Sequence, residues 1–113
     1  MSNYRNIKIQ AERFKALGNP HRLILFQRLL ACCKPGTICS TERAERLCVG
    51  DLGEGLDIAP STLSHHIKEL ARAGLVCTAR HGKSVECWVE PAVLEELASF
   101  FNSSFQLEGV DNV

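Results

Sequence analysis

The sequence predicts a mainly α-helical domain that carries one β-hairpin. Three observations lead there. Apolar residues recur at three- and four-residue spacing in several stretches, the pattern of helices with one buried face. Two runs of strand formers, Leu75–Arg80 and Ser84–Val89, flank the turn-forming His81-Gly82-Lys83. The chain has 113 residues, 45% hydrophobic and 23% charged, which is a globular balance with room for a single core. A core this small often gains stability by dimerisation.

The elements follow in order. Over residues 4–17, Ile7, Ala11, Phe14 and Leu17 fall on one helical face, with Arg5, Lys8, Glu12 and Lys15 off it. Gly18-Asn19-Pro20 ends that helix and starts a second, because proline loses nothing in a first helical turn. Residues 21–32 are apolar around much of the circumference, as in a helix buried on most sides. Lys34-Pro35-Gly36 is turn chemistry, and the polar stretch to Arg46 is long for a loop in so small a domain.

A short helix is expected over residues 48–56, with Val49, Leu52 and Leu56 on one face and three glycines weakening it. Asp57-Ile58-Ala59 makes a tight connection. Pro60-Ser61-Thr62 opens a helix that Gly74 ends, with Leu63, Ile67 and Leu70 toward the core. After the hairpin, Pro91 starts a last helix with Leu94, Leu97, Ala98 and Phe101 at helical spacing. Residues 1–106 form the domain in this reading, and residues 107–113 a frayed tail.

Net charge is zero, but its distribution is uneven. Residues 1–30 carry six Lys or Arg against Glu12 alone; residues 60–84 carry Lys68, Arg72, Arg80 and Lys83 against Glu69 alone; residues 90–113 carry acids and no base. A local basic face is enough to bind phosphates, although such clustering also arises on ordinary solvated faces. No apolar run approaches the roughly 18 residues of a membrane span, and no signal-peptide core follows Met1, so a cytoplasmic protein without a membrane partner is expected.

A short helix, a tight turn, a second helix and a hairpin make a winged helix-turn-helix. The second helix of such a unit presents its first turns to base edges in the major groove. Ser61, Thr62, Ser64 and His65 have short side chains that approach bases closely, and Lys68 suits a phosphate. Arg80 and Lys83 at the hairpin tip suit the adjacent backbone or minor groove. Singly, each has a plain alternative: serine at a helix start is usually a cap, and His66 is expected to pack inward.

Four segments carry a resemblance to the ArsR/SmtB family of metalloregulatory repressors. They are Ala16-Leu17-Gly18-Asn19-Pro20-His21-Arg22-Leu23, Leu47-Cys48-Val49-Gly50-Asp51-Leu52, Pro60-Ser61-Thr62-Leu63-Ser64-His65-His66-Ile67-Lys68-Glu69-Leu70 and Ala73-Gly74-Leu75-Val76. The resemblance implies a homodimer, joined through its first and last helices. It also implies binding to a palindromic operator in double-stranded DNA, with repression until an inducer arrives. The family's arsenic-responsive type carries Cys-Val-Cys-Asp-Leu where this chain has Cys48-Val49-Gly50-Asp51-Leu52, so one of its two thiols is missing. No histidine follows His81, which argues against the family's interfacial zinc site on the last helix.

The six cysteines offer another set. Cys32 and Cys33 end the second helix, and the Lys34-Pro35-Gly36 turn lets Cys39 fold back toward them; Cys48 could replace one member. Three thiolates suit a thiophilic ion, with As(III) or Sb(III) the expected inducer. Zinc ranks lower, since it prefers four ligands and the spacing lacks the usual pairs. The alternatives are a thiol redox or persulfide sensor of the same fold, or thiols that merely pack. Cys77 and Cys87, in the hairpin, read as packing residues. A thiol enzyme is not expected, because three of the four histidines sit in the reading helix and hairpin rather than beside a nucleophile.

Overall fold

The computed structural model describes residues 2–31 and 47–106. Helix α1 spans Ser2–Leu17 and α2 spans Pro20–Leu30. Asn19 joins them: its side-chain oxygen accepts from the backbone N–H groups of His21 and Arg22, at 2.9 and 3.2 Å, which caps α2. Strand β1 is Leu47–Cys48 and leads directly into α3, Val49–Leu52. Then come α4, Pro60–Arg72, the strands β2, Cys77–His81, and β3, Ser84–Trp88, and finally α5, Pro91–Gln106. No helix among the described residues is long and apolar enough to cross a membrane.

The hairpin is as expected, and its turn has a clear cause. Residues His81 and Ser84 pair across Gly82-Lys83, with Gly82 at φ +62 and, among the described residues, no positive φ outside glycine. That is the geometry of a type II′ turn, which needs glycine at its first central position. The structure adds a third strand. The short β1 pairs antiparallel with β3, Leu47 opposite Cys87 and Cys48 opposite Glu86, giving the order β1-β3-β2. Cys48 therefore lies in a strand rather than at the start of a helix, because the open edge of β3 needs backbone partners.

The expected helix over residues 48–56 shrinks to one turn for a related reason. Beyond Leu52 the chain closes as tight turns, with Glu54 N–H donating to Asp51 and Leu56 N–H donating to Gly53. The glycines permit this conformation where a helix would cost them entropy. Arg28 of α2 secures the turn. Its Nη1 donates to the carbonyls of Leu52 and Glu54, at 2.6 and 2.7 Å, and so occupies acceptors left open where α3 ends. Gly53 matters for packing: a Cβ there would stand 2.6 Å from a methyl of Leu63, so any larger residue would force that buried side chain to shift.

The core lies between α2, α3, α4 and the inner face of the sheet. Leu25, Leu52, Leu70, Leu75 and Cys87 are fully buried in it, joined by Phe26, Leu29, Leu63 and Ile67. Each large aliphatic side chain buried there stabilises the fold by about 1.5–3 kcal/mol. Two helices depart from the expected burial. In α1, Arg13 and Ala16 are buried, while Ile7 is 52% exposed and Ala11 is exposed too. In α5 only Leu97 of the expected face is buried; Leu94 and Ala98 are exposed, and Phe101 is 58% exposed. The apolar stripes of both helices run past the edge of this chain's core.

Helices α1 and α5 nonetheless touch. Phe14 packs against Phe100 and Phe101 at ring separations of 5.4 and 5.5 Å, and the buried Arg13 donates to Glu96 at 2.8 Å. Replacing Arg28 by Met keeps its apolar stem and removes both charge-assisted bonds to the turn. We expect Arg28→Met to lose about 1–3 kcal/mol in urea-unfolding experiments, with secondary structure otherwise retained.

Candidate nucleic-acid interface

Helix α4 is held by three leucine or isoleucine anchors on one side. Leu63, Ile67 and Leu70 are buried, at the spacing that keeps them on a single face. The other side is left to solvent as a geometric consequence. Ser61, Thr62, Ser64, His65 and Lys68 are all exposed there, and Arg72 continues the row at the last turn. Ala59 occupies the cap position, has no capping side chain, and is followed by Pro60. Ser61 thus stands inside the helix rather than acting as its cap, which leaves its hydroxyl available to a ligand.

The hairpin stands beside this helix. Cross-strand partners share a sheet face, so Thr78 and Arg80 go with Cys87 and Val85, and Cys77 and Ala79 with Trp88 and Glu86. Cys77 and Cys87 consequently lie on opposite faces of the sheet. Cys87 belongs to the core, whereas Cys77 is half-buried beside Glu90, which also accepts the Trp88 indole N–H at 2.8 Å. At the tip, Arg80 and Lys83 are exposed.

Helix and hairpin together form an open cleft of 770 Å³. Ser64 and Lys68 line it from α4; Arg80 and Lys83 line it from the hairpin; Val49 and Gly50 of α3 close one end. Four of the seven residues singled out in the sequence for DNA therefore meet in one place. Ser61, Thr62 and His65 lie on the exposed side of the same helix but do not line this cleft. Thr78 and Ser84 also line it and went unnoticed in the sequence. The signal for Thr78 was present: it sits two residues before Arg80, and period-two spacing places both on one face.

Behind α4 lies a polar contact that sequence reasoning also missed. His66 is 7% exposed, and its Nδ1 accepts a hydrogen bond from Arg22 Nε of α2 at 3.1 Å. The rings of His21 and His65 flank it at 5.8 and 6.0 Å. Arginine only donates, so Nδ1 must carry the lone pair and the neutral ring holds its proton on Nε2. Burial of the ring, together with the positive charge of Arg22 and the neighbouring His21 and His65, pulls the His66 pKa below its ordinary 6.5.

The candidate thiols Cys32, Cys33 and Cys39 lie outside the described residues. Cys48 is placed by its backbone in β1, immediately ahead of α3, so it sits at the entrance to the helix-turn-helix. Among the described residues, no group of three or more His, Cys, Asp and Glu side chains is arranged to hold a metal ion.

Known proteins share this architecture. A helix-turn-helix domain family matches residues 17–77, more than half of the chain. An uncharacterized HTH-type transcriptional regulator of Bacillus subtilis, YceK, is 31% identical over 77 residues, which cover 68% of this chain and 66% of that protein. The match thus spans just under two thirds of YceK. Among solved structures, an ArsR family transcriptional regulator superposes with a TM-score of 0.72 at 19% identity, covering 91% of this chain and 93% of the other. The transcriptional repressor BigR from Xylella fastidiosa superposes at 0.60 with 23% identity, over 88% and 91% of the two chains. These structures share the winged fold.

The His66 contact makes a prediction about stability. Because its folded pKa lies below 6.5, the unfolded chain binds more protons between those two values. The stabilisation is fully present above about pH 6.5 and is lost as the pH falls through the folded pKa. Chemical unfolding followed from about pH 7.5 down to about pH 5 should show this decline. In His66→Asn, which has no ring to protonate, this part of the decline should be absent.

Proposed function

The chain belongs to the helix-turn-helix family of transcription regulators rather than to an enzyme family, and from that premise we propose that it is a homodimeric repressor that binds a palindromic operator. One observation carries the reading: Ser64 and Lys68 of the exposed side of α4 line the same cleft as Arg80 and Lys83 of the basic hairpin tip. In such a unit α4 enters the major groove. Ser61, Thr62, Ser64 and His65 read base edges, Lys68 holds a phosphate, and Arg80 and Lys83 follow the backbone on the adjacent side.

The apolar surface outside the core supports the dimer. Tyr4, Ile7 and Ile9 on α1, with Leu94 and Phe101 on α5, are exposed large hydrophobics on the two helices that already touch through Phe14. A second copy covering them would bury these stripes. It would also set two α4 helices about one DNA turn apart, roughly 34–36 Å, as paired half-sites require.

The inducer in this reading is As(III) or Sb(III), held by thiolates of Cys32, Cys33 and Cys39, with Cys48 able to join. The soft three-sulfur donor set supports it. The position of Cys48 supports the coupling, since the strand that contains it runs straight into α3. Drawing that segment toward a bound metalloid would move α3 and α4 relative to the dimer axis. Coupling of about 1–3 kcal/mol, usual between allosteric sites, would weaken DNA binding by roughly 5–150-fold.

Binding of a fluorescent duplex from the chain's own promoter tests the interface. Lys68→Ala, Arg80→Ala and Lys83→Ala should each weaken binding and each reduce the slope of log affinity against log salt by about 1.8, because the dimer loses one phosphate contact in each half-site. An unchanged slope in all three would place the phosphates elsewhere. Arsenite titrated into the complex should release the duplex from the wild-type protein and not from a Cys32→Ser/Cys33→Ser/Cys39→Ser variant. If release instead follows persulfide treatment, with a crosslink visible by mass spectrometry, the signal is redox.

A further inference from the structure

We propose that His66 is a proton-operated latch between α2 and α4, so that pH sets the position of the helix that reads DNA. The consequence for DNA rests on the reading above; the latch itself does not. The argument is one of lone pairs. A neutral imidazole has one acceptor nitrogen, and in His66 that nitrogen is engaged by Arg22 Nε. An incoming proton can be taken up only there. Once it arrives, two N–H donors and two positive charges face each other across 3.1 Å in a nearly closed space. The bond becomes a repulsion, and α4 moves away from α2 to relieve it.

The surroundings do little to absorb the charge. From α2 the ring meets His21 as well as Arg22, and from its own helix His65. The carboxylates nearby are already engaged or more remote. Glu69, one turn on, pairs with Arg72 at 3.4 Å, and both line a hollow with Arg22. Glu12 of α1 lines the same hollow but shares it with Lys15. The lowered pKa of His66 agrees with this inventory. The latch is also well placed to act. His66 lies between Leu63 and Leu70 on the buried side of α4, directly behind the exposed Ser64, His65 and Lys68.

Nuclear magnetic resonance of the full chain tests the latch without DNA. His66 should carry its proton on Nε2 at neutral pH, and its ring titration should coincide with amide shifts along α4. Asn places its side-chain oxygen where histidine has Nδ1, so His66→Asn keeps an acceptor for Arg22 and cannot titrate. The α4 shifts should vanish in it. Arg22→Met, which leaves the ring in place, should raise the His66 titration toward 6.5. On the promoter duplex, each pH unit below the His66 folded pKa should weaken wild-type binding relative to His66→Asn by up to about tenfold per protomer, and so by up to about a hundredfold for the dimer. Amides of α4 that stay still while His66 titrates overturn the latch, as does the same pH dependence of DNA binding in both proteins. Failure of the wild-type protein to bind the duplex at neutral pH overturns the operator reading instead, and the α4 shifts still decide the latch.

Discussion

The burial of one side of α4 is the constraint from which the rest of this structure follows. Leu63, Ile67 and Leu70 commit that side to the core formed with α2, α3 and the sheet. A helix cannot turn about its axis without moving all three out of the core, at a cost of several kcal/mol. The orientation of Ser61, Thr62, Ser64, His65 and Lys68 is therefore set by residues that take no part in recognition. The same logic explains the rigid surroundings. Arg28 ties the turn after α3 to α2, and Gly53 lets that turn lie against Leu63, so the first half of the helix-turn-helix is braced against the second.

Stability and function use different stretches of the same elements. The sheet gives Cys87 to the core and sends Arg80 and Lys83 toward the cleft. Helix α2 gives Leu25, Phe26 and Leu29 to the core, and from its first turn sends Arg22 under α4. The chain's net charge of zero is no obstacle to DNA binding in such an arrangement. Acidic residues collect on α5 and basic ones around α4 and the hairpin, so the potential over the cleft is local. Binding that depends on local charge is salt-sensitive by nature.

Helices α1 and α5 show how a single chain can look incompletely packed. The periodicity of Ile7, Ala11, Phe14 and Leu17 marks an apolar face, yet only the C-terminal part of it reaches the core described here. Periodicity reports that a face is to be covered and is silent on which molecule covers it. The same holds for Leu94, Leu97, Ala98 and Phe101 on α5, where Leu97 alone is buried. A homodimer interface, as proposed, accounts for both departures with a single cause.

Local chemistry in the sequence determined most of the architecture. The Asn19-Pro20 start of α2, the Pro60 start of α4, the Gly82 turn and the period-3.6 pattern of α4 all act over a few residues, and the structure keeps each of them. The solvent-facing residues of α4 were legible for the same reason, since its three core anchors leave one side free. Tertiary structure decided what depends on residues far apart in the chain. The pairing of β1 with β3 moved Cys48 from a helix into a strand, because an edge 38 residues further on needed partners. The meeting of Arg22 with His66 spans 44 positions, and no local pattern in either segment points to the other. The helix that opens at Pro60 could thus be read from its own residues, while the contact that holds it in place from behind exists only once α2 has packed beneath it.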